Sequence, residues 1–374
     1  MIMKRNIKKF LLPVAVVAAV SFAACSDWTE TESLDMKNPS LETQNPGLYK
    51  QYLEALRTYK AGEHKVVLVT LDNPATAPAA RNQHLTTIPD SVDFISLANP
   101  DNLHPTVLGE FEKVHAKGTR VIYDIDYAAI EARWTQILEE EEANRPEEPE
   151  TPAEGEGGDE GGEEPVETPE SRFLTFCREY TAGMLALCDK YGYDGVQISY
   201  TGRAPQAMVG DELEQYTARQ EAFLSTVRSW YEAHAGKLLL FQGAPQNLID
   251  KSLLAECAYI VIPALSATSA DEMSFAVLMA IAADVPVDRF VIGVKTPSLT
   301  DSKDESGYFA GYEADGKTRN LATKGAAEWA VAAVPNFTKA GIAVADVQND
   351  YYNINLVYKN IREAIAIMNP SPKN

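Results

Sequence analysis

The chain has 374 residues, 45% apolar and 23% charged, so it buries at least one substantial core and is neither a disordered protein nor a small disulfide-stapled module. Its formal charge of −21 argues against nucleic acid or an anionic membrane surface as the partner, because both need a basic footprint. The acidity is uneven: residues 139–170 hold fifteen acidic side chains and one basic one, Arg145, so most of it belongs to one segment.

Residues 1–24 open with Lys4, Arg5, Lys8 and Lys9, run through the apolar Phe10–Phe22 and end in Ala23-Ala24 before Cys25. That is a secretory leader, with an apolar stretch too short to span a bilayer comfortably. A cysteine directly after the small residues resembles a bacterial lipoprotein signal, which implies lipidation at Cys25, although an ordinary cleaved leader is the alternative. The acidic run Ser26–Asp35 resembles the tags that send lipoproteins to the outer face of the outer membrane. An outer-membrane, lipid-anchored protein facing the cell exterior is therefore expected, with residues 25–45 as its tether. Cys177 and Cys188 lie about 16 Å apart if helical, beyond disulfide reach. With Cys257 they are expected to be buried, inert thiols.

Pro46–Lys60 reads as a helix before the first strand. From there, apolar β-branched runs recur at Lys65–Leu71, Val92–Leu97, Thr119–Asp126, Asp194–Tyr200, Leu238–Phe241, Tyr259–Leu265, Phe290–Lys295 and Ile342–Val347. Their apolar residues are consecutive rather than alternating, as in parallel strands buried on both faces. Helices are expected at Pro105–Ala116, Phe173–Lys190, Asp211–Ala235, Gln246–Ala255, Asp271–Ala282, Ala326–Ala340 and Ile354–Met368. Eight strand–helix alternations predict an α/β protein, a (β/α)8 TIM barrel over residues 46–374. An open doubly wound sheet is disfavoured, because Thr70-Leu71-Asp72-Asn73 stands where a glycine-rich phosphate loop would follow the first strand. Residues 146–171 are almost wholly Glu, Gly, Pro and Thr, and are expected to form a disordered acidic loop after strand three.

Around strand four the chain reads Asp194-Gly195-Val196-Gln197-Ile198-Ser199-Tyr200-Thr201. This resembles the DGxDxDxE signature of glycoside hydrolase family 18, the chitinases and endo-β-N-acetylglucosaminidases. Asp194-Gly195 match its opening, Val196 and Ile198 its apolar positions and Tyr200 its frequent aromatic. Gln197, Ser199 and Thr201 stand where the family has Asp, Asp and Glu. Residues i, i+2 and i+4 of a strand share one face, so the family's three acids meet in the barrel mouth. There the Glu protonates the leaving oxygen, and the middle Asp orients the substrate's own acetamido group. None of the three residues here supplies an acid of that strength.

The resemblance therefore implies a catalytically inactive barrel that binds N-acetylglucosamine-containing glycans, of N-glycan-core or chitin type, for a neighbouring importer or hydrolase. Candidate glycan contacts are Gln197, Ser199 and Thr201, with Asp72 and Asn73 after strand one and Asp124 and Asp126 on strand three. Gln242 and Gln246 after strand five, Lys295 after strand seven, and Gln348, Asn349, Asp350, Tyr351 and Tyr352 after strand eight complete the set. The alternative is an active glycosidase using relocated carboxylates, with Asp124, Asp126 and Asp350 as the acids to suspect. No metal site is indicated, since the five histidines show no HxH or HExxH spacing, and no cofactor or nucleic-acid partner is implied.

Overall fold

The computed structural model describes residues 41–145 and 168–370, which fall into two compact units dividing between Gln51 and Tyr52. The first holds α1 (Leu41–Gln44) and the opening turns of α2 (Pro46–Ala61). The leader, Cys25, the tether up to residue 40 and the acidic residues 146–167 lie outside the described residues.

The second unit is a closed barrel of eight parallel strands. In chain order these are β1 (Val66–Leu71), β2 (Phe94–Leu97), β3 (Arg120–Asp126), β4 (Gly195–Tyr200), β5 (Leu238–Gly243), β6 (Ile260–Pro263) and β7 (Phe290–Lys295). A two-stranded antiparallel hairpin, β8 (Tyr308–Tyr312) and β9 (Arg319–Leu321), precedes the closing strand β10 (Lys339–Ala345), which pairs with both β7 and β1. Around the barrel stand α3 (Pro105–Leu108), α4 (Phe111–Ala116), α5 (Tyr127–Ala143), α6 (Pro169–Tyr191), α7 (Asp211–Ala233), α8 (Ala270–Ala280), α9 (Ala322–Val331) and α10 (Lys359–Met368). The strand runs are buried on both faces because two cores use them. Val66, Leu68, Ile122, Leu240, Val261 and Val291 form one cluster, while Val67, Val69, Val121, Val196, Ile198 and Phe241 join the larger one that includes the helices. Gly195 lets two strands close: a Cβ there would stand 2.1 Å from the Leu238 carbonyl oxygen.

All eight expected strands are present, but several helices differ. The Pro105–Ala116 run breaks at Gly109-Glu110, where glycine weakens the helix. Gln246–Ala255 forms only 3₁₀ turns, because the Asp250 carboxylate accepts the Ser252 N–H at 2.8 Å and competes with helical bonding. The helix expected over Ala326–Ala340 begins earlier and stops at Val331, ahead of Pro335. The chain then returns as β10, whose buried Lys339 Nζ donates to the Trp329 and Ala332 carbonyls at 2.8 and 3.0 Å. Of Ile354–Met368, only Lys359–Met368 is helical.

The expected disordered segment 146–171 is too long at its C-terminal end. Thr168 caps α6 at the Ser171 N–H, Pro169 opens the helix, and Glu170 accepts two hydrogen bonds from Arg219, at 2.8 and 2.6 Å. On the other side, α5 intervenes between β3 and residue 146, and its Trp134 packs against Phe173 and Phe176 of α6. The three cysteines are free and buried.

Candidate functional site

At the C-terminal ends of the strands the barrel opens into a cleft of about 460 Å³. Strand alternation fills it: on β3, Asp124 and Asp126 face inward, and on β4, Gln197 and Ser199 do, while Tyr200 turns outward to pack against Tyr127 and Tyr216. The parallel register sets Asp124 beside Gln197, Asp126 beside Ser199, and Ser199 beside Gln242.

These neighbours form one network. Ser199 Oγ donates to the Asp124 carboxylate, 2.7 Å from Oδ1 and 2.8 Å from Oδ2, and Gln197 Nε2 donates to Oδ1 at 3.2 Å. Gln242 Nε2 donates in turn to Ser199 Oγ at 3.1 Å. Gln197 is 3% exposed, and its Oε1 has no hydrogen-bond partner among the described residues. Desolvation raises the Asp124 carboxyl to about 7, with the Asp126 charge adding to the rise and the Ser199 and Gln197 hydrogen bonds opposing it. Burial also raises Asp126, against the hydrogen bond its side chain accepts from the Ala128 N–H as the cap of α5.

Of the expected positions, Asp124, Asp126, Gln197 and Gln242 line the cleft, and Ser199 lies behind them, 7% exposed. Thr201 falls past the end of β4; it is exposed, outside the cleft lining, and its carbonyl accepts from Asn247 Nδ2 at 2.7 Å. Asp350 is not a rim acid. It is 3% exposed, and its carboxylate accepts the Asn360 and Ile361 N–H groups at 3.2 and 2.9 Å, satisfying the start of α10. Asn73 is fully buried, exchanging hydrogen bonds with the Asn99 backbone, while Asp72 accepts from Asn99 Nδ2 at 3.1 Å.

Gln348 accepts the Asp72 N–H at 3.2 Å, and Asn349 donates its own backbone N–H to Asp346. Lys295 is held by Asp304 at 2.9 Å, and Gln246 lies on the 3₁₀ turn after β5; neither lines the cleft. Tyr351 packs edge-on between Tyr352 and Tyr358, and Tyr352, 60% exposed, donates to Asn82 Oδ1 at 3.2 Å. The sequence reasoning missed Thr70, Ser96, Tyr180 and Met184, which also line the cleft. The inward positions of β1 and β2 pointed to the first two. The other two depend on how α6 packs.

Among the described residues no group of three or more His, Cys, Asp or Glu side chains is placed to hold a metal ion. The cleft offers neutral amides and a hydroxyl around one buried carboxylate, between apolar walls that include Leu97, Ile125 and Leu265. Chemically it can accept hydrogen bonds from a ligand and enclose an apolar ring face.

The family model of glycoside hydrolase family 18, BT1044-like, matches residues 29–367. Among solved structures, the chain is similar to a selenomethionine form of a BT1044 variant, with 17% identity, a TM-score of 0.57, and 88% of this chain and 95% of that one covered. It is also similar to the endo-β-N-acetylglucosaminidase of Cordyceps militaris in apo form, with 16% identity, a TM-score of 0.53, and 85% and 95% covered. A variant of that enzyme in complex with fucosyl-N-acetylglucosamine-Asn aligns at 14% identity and a TM-score of 0.51, covering 85% and 95%. No curated protein matches the chain.

Proposed function

Because the chain belongs to glycoside hydrolase family 18, BT1044-like, we propose that it is a non-hydrolysing member: a surface-anchored lipoprotein whose barrel mouth captures N-acetylglucosamine-containing glycans for a neighbouring importer or hydrolase. The observation that carries this reading is the inward network of β4. Where the family signature sets carboxylates, Gln197 and Ser199 are neutral and hydrogen-bonded to Asp124, and Thr201 is turned out of the cleft. An enclosed cleft with such a floor suits binding of hydroxyl-rich rings without proton transfer to a leaving group.

Calorimetric titration of the purified protein with N-glycan cores and N-acetylglucosamine oligomers tests it. Saturable binding with no new reducing ends is the expected result, and no affinity for any such glycan would sink the proposal. The anchor is tested separately. Cys25→Ala should move the protein from the membrane to the soluble fraction, and the native form on intact cells should be open to added protease.

One observation favours hydrolysis by a relocated acid: the Asp124 carboxyl, raised to about 7, lies in the range of a general acid at neutral pH. Its expected partners are committed elsewhere, Asp126 to the start of α5 and Asp350 to the start of α10. Reducing-end release that disappears in Asp124→Asn would establish this second reading over the first.

A further inference from the structure

The floor of the cleft lacks a positive charge. Two other carboxylates of the barrel have basic side chains beside them: Asp93 pairs with His64 at 3.0 Å, and Asp194 pairs with His115 at 2.8 Å and Arg120 at 3.2 Å. Asp124 has only Gln197 and Ser199. Among the described residues lining the cleft there is no Lys, Arg or His. Lys295, the cation expected at the rim, is bound to Asp304 at 2.9 Å with Asp346 at 3.8 Å. The remaining titratable groups of the lining are Asp126 on the same strand and Tyr180 from α6. β2 contributes the neutral Ser96, β4 Gln197 and β5 Gln242.

A carboxylate desolvated without a counter-charge is held at a cost, which an incoming cation removes. The second observation is independent of charge: Gln197, 3% exposed and lining the cleft, has an Oε1 without a partner. The Asp124 carboxylate and the Gln197 Oε1 are thus two acceptors in one lining without a cation.

We infer that the cleft seats a protonated amine against Asp124 and Gln197 Oε1, so that the glycan it takes carries a free-amine, de-N-acetylated hexosamine at the floor. An ammonium brings three donors and one positive charge to that set of acceptors. An N-acetyl group brings a single N–H and no charge to the same two acceptors. The inference rests on the glycan-binding reading of the same cleft and narrows its ligand class. It also gives the raised Asp124 carboxyl a role, because a bound ammonium favours the carboxylate and drives its proton off.

The test is calorimetry on the full chain with two probes, the β-1,4 tetramer of glucosamine and the tetramer of N-acetylglucosamine, at about pH 6 and about 0.15 M salt, where surface attraction of a polycation to an acidic protein is screened. The amine tetramer should bind about tenfold or more tighter. Its binding should also release a proton, so that the measured heat varies with the ionisation enthalpy of the buffer. Asp124→Asn should abolish both the preference and the proton release while the acetylated tetramer still binds. Gln197→Met, checked for native melting, should weaken the amine tetramer selectively and carries the test if Asp124→Asn does not fold.

Equal or tighter binding of the acetylated tetramer overturns this inference and leaves the glycan-binding reading standing. A preference that survives Asp124→Asn overturns the assignment to Asp124. Binding of neither tetramer overturns the inference together with the reading beneath it.

Discussion

The two ends of the barrel treat their carboxylates in opposite ways. At the N-terminal end, Asp93 accepts the Val67 N–H at 2.8 Å and pairs with His64, both side chains being 7% exposed. Asp194 accepts the Val121 N–H at 2.7 Å and is flanked by His115 and Arg120. At the C-terminal mouth, Asp124 is hydrogen-bonded only to the neutral Gln197 and Ser199. Burial pushes Asp194 up, but its hydrogen bonds to His115 and Val121 and the nearby positive charges outweigh that and hold it low. Asp124 is pushed up to about 7. Paired charge at one end locks strands and loops together, whereas unpaired charge at the other is a stability cost that the proposed ligand would offset.

The largest test of this contrast lies at the locked end. Gly195→Val should cost about 3 kcal/mol or more, read as a lowered urea midpoint, because its side chain meets the Leu238 backbone of the next strand. Asp93→Ala comes next, at about 2–3 kcal/mol, since it strips partners from His64 and from the buried Val67 N–H.

At the mouth the sign reverses. The Asp124 carboxyl is raised on folding, so its contribution to stability is present below the unfolded value and is lost as pH rises through about 7. Asp124→Asn should therefore stabilise the protein by about 1 kcal/mol at pH 8 and change little at pH 5, measured by urea unfolding at both. His64, raised chiefly by its hydrogen bond to Asp93, adds its own loss as pH climbs through its folded value, and that loss should persist in Asp124→Asn. The smallest effect is expected for Thr201→Glu, within about 0.5 kcal/mol of the parent by the same assay. Exposed and outside the cleft, it should also produce no reducing-end release, and turnover by this single variant would erase the difference between the two ends.

Much of this architecture was legible in the chain. The Asp194-Gly195 opening marks the N-terminal end of β4, where the carboxylate meets His115 and the missing Cβ lets β5 approach. The residues facing the cleft from β3 and β4, Asp124, Asp126 and Gln197, agree with strand alternation, whereas Gln242, expected after strand five, lies on β5 itself. The rest failed for identifiable reasons. Asp350 sits in a polar-aromatic run that reads as a rim, yet a free helix N-terminus ten residues on took its carboxylate. Thr201 continues the inward alternation in sequence, but β4 ends at Tyr200, and parity carries no meaning beyond the last ladder bond.

By itself the sequence determined the eight strands and the barrel they close, because runs of β-branched residues buried on both faces have few other ways to leave water. It also determined that β4 lacks the acids of the family signature. Only the tertiary structure decided what became of the remaining carboxylate. Ser199 and Asp124 are 75 residues apart in the chain, and it is the register between β3 and β4 that makes one the donor to the other. Such partnerships depend on which strands lie side by side and in what stagger, and no local pattern encodes that.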